Sequence, residues 1–422
     1  METQARSGGF QLLQSIGPGI VFALTVLGPG DFVSNTVTGA THGYTLLWAL
    51  VVALFFRYVW LDASARYVMA TGESLMEGYA RFGGWLTIAL LSSMVIIRTL
   101  SNLYKLVLLV DTAELLLPQH SATGRLLFGG LVSAAAFVLC DRGGYRALER
   151  IFKVLVAVMC AGLVTGAVMA RPEPWQILGG LLSPTLPADS GLYRTAFILM
   201  ALIGTEAGSV TNITYSYFLR RKGWRDLSFR RDQRRDLLFS VCSLFLISSC
   251  VQIAAAGTLL PAGVSPKNAD DLVVMFSHSL GYAGRVIFTF GLCAAAFSGF
   301  VGGTTGYSLI AADVLGRLTG SDPPSAERNP IYRGAVAFWC FAPLALMAVS
   351  RRPVWLVLFV SALMAVFIPV LGLFLLRLTS NREIMGKVVN SRLTNGAFCV
   401  LIAVSLMLLG VNAFEWWEGR QG

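Results

Sequence analysis

The feature that most constrains this chain is a succession of apolar runs, each 17 to 28 residues long, recurring along almost its whole length. A helix rises about 1.5 Å per residue, so such runs match a hydrocarbon core ~30 Å thick. Eleven are expected, at 17–40, 45–69, 84–110, 124–140, 150–170, 193–219, 237–260, 284–311, 333–349, 353–377 and 394–413. Of the 422 residues, 55% are hydrophobic and only 13% charged, against roughly a quarter charged in a soluble chain. Runs this long exclude the short alternating segments of an outer-membrane barrel. The expectation is an all-α polytopic membrane protein, with residues 1–422 forming one transmembrane domain.

The charge that remains is concentrated between the runs. Between Arg220 and Asp236 stand eight basic and three acidic residues, which is +5 of the net +10. Such juxtamembrane clusters set orientation and meet anionic lipid headgroups, so a membrane-lipid partner is expected here and a nucleic acid is not. With the N-terminus inside, the inner loops hold Arg142, Arg146 and Arg150, the cluster just named, Arg317, Arg328 and Arg333, then Arg377, Arg382, Lys387 and Arg392. The outer loops hold chiefly Arg171, Lys267, Arg351 and Arg352. The positive-inside rule favours a cytoplasmic N-terminus and an external C-terminus in a plasma (inner) membrane. No cleavable signal pattern precedes the first run, so insertion is expected to start from that helix. The seven cysteines all lie in apolar runs without metal-type spacing and read as small core residues.

Two runs are interrupted at mid-depth. The first contains Gly28-Pro29-Gly30-Asp31 and the sixth Gly204-Thr205-Glu206-Ala207-Gly208-Ser209. Proline removes a backbone donor, and glycine does little to hold a helix. Unwound backbone is tolerated in a membrane only where protein or a watery cavity satisfies it. Breaks five spans apart suggest two five-helix repeats of opposite topology, about 17–170 and 193–377, with the substrate between half-helix ends and 394–413 as an extra helix.

Each break carries an acid. Asp31 is followed by Ser34, Asn35 and Thr38 on one helical face, and Glu206 by Ser209, Thr211 and Asn212. Ionisable groups at this depth are costly and usually functional; the plainer alternatives are that Asp31 caps its half-helix and that Glu206 pairs with a base. Arg98, near the centre of the third run, needs a partner, and Asp31 or Glu206 is the natural candidate. Lys105 lies two turns further along and is expected to reach for an interface. Asp62, Asp313, Asp111 and Glu114 read as interfacial. That leaves Asp31, Arg98 and Glu206 as the charges expected at mid-membrane. Gly28, Ser209 and Asn212 complete the expected substrate site with Asp31, Arg98 and Glu206.

The order GPG…GPGD…TGATHGYTLLWAL, SARYVMATGESL, GYRALERIFKVLVAV, LLSPTLP and LRLTSNREIMGKVVNSRLTN, from about Gly17 to Val411, resembles the Nramp family of divalent-metal transporters. The resemblance implies the LeuT-like inverted-repeat fold with discontinuous helices 1 and 6, and metal entry coupled to protons. The family's functional residues are altered. Its first-span Asp-Pro-Gly-Asn reads Gly28-Pro29-Gly30-Asp31, and its sixth-span Met-Pro-His falls near Gly208, Ser209 and Val210 or Thr211. The third-span acids of its Asp-Leu-Ala-Glu stretch correspond to Thr99 and Asn102, and its tenth-span Gln to Phe367.

An all-oxygen shell of Asp31, Glu206, hydroxyls and freed carbonyls would suit a hard cation, Mg²⁺ or Mn²⁺. The first reading is thus a secondary transporter of such an ion, without the usual proton pathway. The second is a transporter of a small organic substrate, an amino acid or carboxylate, which an Arg98 projecting unpaired into the central cavity would favour. The third is a family member that no longer transports. No phosphate-binding glycine loop or nucleotide domain is present, and His42, His120 and His278 are scattered near span ends, so neither an enzyme nor an ATP-driven pump is expected and no cofactor is implied. The small-residue stretch AAAFSGFVGGTTG in the eighth run suggests close helix packing; oligomeric state stays open.

Overall fold

Hydrocarbon leaves backbone groups no solvent partner, and the chain answers by being helical along nearly all its length. The computed structural model describes residues 28–115, 121–142, 145–189, 192–320, 329–347 and 352–418. The helices are α1 (Pro29–His42), α2 (Leu47–Thr71), α3 (Leu75–Ala80), α4 (Gly84–Glu114), α5 (Ala122–Arg142), α6 (Tyr145–Met169), α7 (Pro174–Leu182), α8 (Thr195–Glu206), α9 (Val210–Arg221), α10 (Arg230–Thr258), α11 (Ala269–Leu318), α12 (Pro330–Met347), α13 (Pro353–Val366), α14 (Ile368–Ser380), α15 (Arg382–Met385) and α16 (Arg392–Glu418). Among the described residues nine spans are long and apolar enough to cross a membrane, and ten if α6 and α7, bent by 110° at the break between them, are counted as one span. Helix α1 is the described part of the first expected run. Residues 17–27 of that run, His120, Arg328 and Arg351 lie outside the described residues, as do the side chains of Arg142, Arg146, Arg150 and His278.

The sixth span is broken as expected, into α8 and α9, with Gly208 at φ +66° turning the chain between them. Three features were not expected. The tenth span is also broken, at Phe367, where Pro369 opens α14. Helix α11 kinks at Gly281 (φ +60°), so the eighth span is preceded by a separate helical segment. Helix α7 forms where a loop was expected, started by Pro174 at its first position.

Half-helix α8 is the hub, packed on α13, α1 and α2, while α11 packs on α4 and α6, and α10 on α1. The closeness is written in glycine: a Cβ on Gly204 would fall 1.8 Å from the Ser361 carbonyl oxygen of α13, and one on Gly39 would fall 2.2 Å from that of Gln252 in α10. Outward faces remain apolar, with Leu127, Leu131, Val168, Leu406 and Met407 exposed as lipid-facing residues should be.

The interfacial acids behave as their positions suggested. Asp111 and Glu114 both pair with Arg125. On the basic face Glu77 meets Arg220 at 2.8 Å and Arg317 at 2.7 Å, and Asp313 accepts from Tyr217 and Arg317, which ties α3 to α9 and α11. Asp62 holds Arg66 and Arg230.

Gly204→Ala should lower the melting midpoint of the detergent-purified protein by an amount corresponding to ~1–3 kcal/mol or more, because the new methyl meets backbone. Gly334→Ala, where no atom lies within 4 Å of the added carbon, should leave it unchanged or slightly raised. Equal midpoints for the two variants would show that the α8–α13 contact is looser than described.

Candidate functional site

Proline at N1 starts α1 where its missing N–H costs nothing. Gly28 is the N-cap, and its backbone N–H donates to Asp31 Oδ2 at 3.0 Å, so Asp31 does cap its own half-helix. One turn on, Asn35 Nδ2 donates to the Asp31 carbonyl (2.8 Å) and to Glu206 Oε1 (2.6 Å), joining the first break to the sixth. Ser248 of α10 donates to the same Glu206 oxygen at 2.8 Å, while Oε2 has no hydrogen-bond partner. In the sixth break Asn212 Nδ2 satisfies the Ala207 carbonyl at 3.0 Å, and the Ser209 hydroxyl is buried without a partner.

A cavity of about 120 Å³ lies against these breaks. Of the expected residues Gly28, Asp31 and Asn212 line it, together with Gly30, Thr205, Thr211 and Thr214, whereas Ser209 does not. Glu206 does not; it is wholly buried behind the wall. Asp31 is therefore the one carboxylate among the lining residues, where two had been expected to converge.

Arg98 reaches the cavity, but its expected pairing with Asp31 or Glu206 does not form. Nη2 donates instead to the carbonyls of Gly299 (3.1 Å) and Phe300 (2.8 Å) in α11, with the Tyr307 ring 5.4 Å away and Nε unpartnered. A Cβ on Gly303 would lie 2.0 Å from Nη1. The small-residue stretch of α11 is thus a groove for side chains of α4, and the close helix packing it suggested is only part of its role. Lys105 does not reach for an interface either: it is 5% exposed, lines the cavity and donates to Ser101 at 2.8 Å. Asn102, which stands where the family carries an acid, ties α4 to Thr304 of α11 and the Trp339 carbonyl of α12.

Arg57 was missed altogether. It sits at mid-span in α2, is 4% exposed, and lines the cavity. Nη1 donates to the carbonyls of Glu206 (2.9 Å) and Thr205 (3.4 Å), and the guanidinium interacts electrostatically with both Asp31 and Glu206. No ion pair within 4 Å joins them among the described residues. The signal was present, since an arginine inside LVVALFFRYVW is as anomalous as Arg98.

The lining therefore presents three basic side chains, Arg57, Arg98 and Lys105, to one carboxylate. A divalent ion ~6 Å from a unit positive charge is repelled by roughly 5 kcal/mol at an effective dielectric of about 20. A carboxylate in the same place is attracted. No cluster of three or more His, Cys, Asp or Glu side chains suited to a metal occurs among the described residues.

The profile of natural resistance-associated macrophage protein-like sequences, Nramp, matches residues 19–414. The divalent metal cation transporter MntH of Chromohalobacter salexigens is 25% identical over 406 residues, covering 94% of this chain and 90% of its own. MntH of Mycobacterium tuberculosis is 26% identical over 411 residues, with the same coverages. Among solved structures, the manganese transporter of Eremococcus coleocola superposes with a TM-score of 0.74 at 16% identity, over 96% of this chain and 87% of that one. MhsT, solved in complex with L-phenylalanine, gives 0.62 at 14% identity over 93% and 97%. These likenesses show the fold, which is LeuT-like, and among the described residues its sixth span is discontinuous.

If Gly303 exists to seat Arg98, the two are energetically coupled. Gly303→Ala should destabilise the protein alone but much less in an Arg98→Ala background, giving a coupling of about 0.5–3 kcal/mol in a double-mutant cycle of thermal stability. Strict additivity would mean that the glycine serves helix packing only.

Proposed function

The chain belongs to the Nramp family, whose members are membrane transporters and not enzymes, and from that premise we propose a secondary transporter that carries a small carboxylate-bearing organic molecule by alternating access. The observation that carries this reading is the cavity lining, where Arg57, Arg98 and Lys105 face one acid. Arg98 donates both of its bonds through Nη2 to neutral carbonyls and has no carboxylate partner among the described residues, so a charged acceptor in the cavity would complete it. Asp31 then offers an ammonium its counter-charge, which makes a small amino acid the best-matched substrate. A volume of about 120 Å³ is well below the ~300–1,000 Å³ of drug-sized sites, so the cargo is of glycine or alanine size.

Two repeats, about 17–170 and 193–377, would rock about this site, with 394–413 outside the movement. The ion network of Glu77, Arg220, Arg317 and Asp313 would have to part for the basic face to open. By the distribution of basic residues that face is cytoplasmic, in a plasma (inner) membrane and against anionic lipid.

The second reading is a hard divalent cation, Mg²⁺ or Mn²⁺, held by Asp31 and Glu206. Two observations favour it: the curated relatives are named divalent metal cation transporters, and Glu206 keeps an oxygen without a partner. It would require the ion to sit among the three cations or displace them.

Titration calorimetry on protein in nanodiscs, with glycine, alanine, acetate and lactate on one side and Mn²⁺ and Mg²⁺ on the other, separates the readings. A saturable carboxylate ligand is expected, weakened ~10–100-fold by Arg98→Ala, the scale of a hydrogen bond to a charged group. Saturable Mn²⁺ or Mg²⁺ binding without any carboxylate binding would reverse the order.

A further inference from the structure

Arg57 stands where an oxygen-lined cation site would otherwise be. Half-helix α8 ends at Glu206; the Ala207 N–H closes on the Ile203 carbonyl, and beyond it the Thr205 and Glu206 carbonyls are left to accept from a side chain. Such an end carries about half a negative charge, and unwound carbonyls of this kind hold cations in discontinuous-helix transporters. The Thr205 and Glu206 carbonyls point at one donor, Arg57 Nη1. Around the same guanidinium lie the Asp31 and Glu206 carboxylates, close enough to interact electrostatically though not in ion-pair contact. Two acids, one of which (Glu206) keeps an unpartnered oxygen, and two helix-end carbonyls make a hard-oxygen donor set of the kind Mg²⁺ and Mn²⁺ select. A side chain from a third helix, α2, brings the positive charge to it.

We infer that the Arg57 guanidinium is a built-in cation that fills an oxygen-lined cation site between the two helix breaks, so that the protein binds its cargo without a metal ion and removal of Arg57 uncovers a divalent-cation site. The geometry suits the exchange. Arg57 meets the carbonyls through one nitrogen, as a bound ion would, and it is buried, so bulk cations do not compete with it. The second cationic pair, Arg98 and Lys105, is seated against Gly303 and Gly299 of α11 and does not touch these carbonyls. The inference concerns the cation side of the site alone. It stands or falls on metal binding, whatever molecule the Arg98 side receives.

The test is metal binding by the full-length protein in nanodiscs, followed by titration calorimetry and thermal denaturation with Mn²⁺, Mg²⁺ and Ca²⁺. The wild type is expected to bind none of them saturably and to melt at the same temperature with EDTA. Arg57→Met should gain a saturable Mn²⁺ or Mg²⁺ site, at least tenfold tighter than any residual binding by the wild type, with a melting midpoint raised by the ion. Asp31→Asn placed on Arg57→Met should abolish the gain, and Arg57→Lys, which keeps the charge, should not show it. Saturable binding by the wild type, lost with Asp31→Asn, would overturn the inference, as would a folded Arg57→Met that gains nothing. Should Arg57→Met fail to fold, Arg57→Met with Glu206→Gln removes charge and counter-charge together and is expected to fold. Failure of that pair as well would show that the arginine is needed for its shape, against the inference.

Discussion

An ionised group in hydrocarbon persists only if fixed charges or dipoles of the protein replace its water, and this requirement organises the centre of the molecule. Five ionisable side chains, Asp31, Arg57, Arg98, Lys105 and Glu206, are each at most 5% exposed there. Their neutralisers are mostly neutral: the backbone N–H of Gly28 for Asp31, Asn35 and Ser248 for Glu206, carbonyls of α8 for Arg57 and of α11 for Arg98. The two helix breaks supply several of these groups, because only an interrupted helix offers free N–H and C=O at mid-depth. Glycine at 303 follows from the same need, since a flat guanidinium cannot lie on a helix that carries a Cβ there.

What was legible in the chain divides along that line. Helix positions, the sixth-span break and the start of α1 at Pro29 were readable because apolar length, glycine and proline act locally. The break at Phe367 was not, since its only local mark is Pro369, placed where a half-helix starts. Arg98 was recognised, but its partner was sought among acids. The acceptors are carbonyls brought near by the packing of α4 on α11, and nothing in the residue order shows which helices meet. Lys105 was given to an interface by its distance from mid-span, whereas the groove beside Gly299 holds it inside. Arg57 was overlooked because the charges noticed in its span lie nearer the span end, at Asp62, and its own partners come from a helix 148 and 149 residues away.

Scaffold and site carry different information here. The family match over residues 19–414 and the superposition over 96% of the chain concern the path of the backbone and the positions of its breaks. Selectivity rests on a few side chains at those breaks, and a LeuT-like frame holds them at the same depth whatever their sign. In this chain the first-span position that bears an amide in the family bears Asp31, and the third-span acid positions bear Thr99 and Asn102. A centre that has lost acids from α4 while holding Arg57, Arg98 and Lys105 has moved its charge balance toward the positive.

The changes are coupled by electrostatics and do not read as independent losses. Removing third-span acids alone would leave Arg98 and Lys105 uncompensated in a low-dielectric site, at a cost that burial does not permit. Seating them on the glycine groove of α11 and shifting the remaining acids to the two breaks gives each cation an acceptor and separates the centre into two walls. One wall, with Asp31, Glu206 and the α8 carbonyls, already holds its counter-charge in Arg57. The other, with Arg98 and Lys105, is left with donors to spare. Donors that face a cavity need acceptors, which water or a ligand can supply, so the basic wall and the arginine opposite it belong to a single arrangement. The same backbone frame, with a guanidinium against its sixth-span break, can present a different charge to its cargo from one with none there.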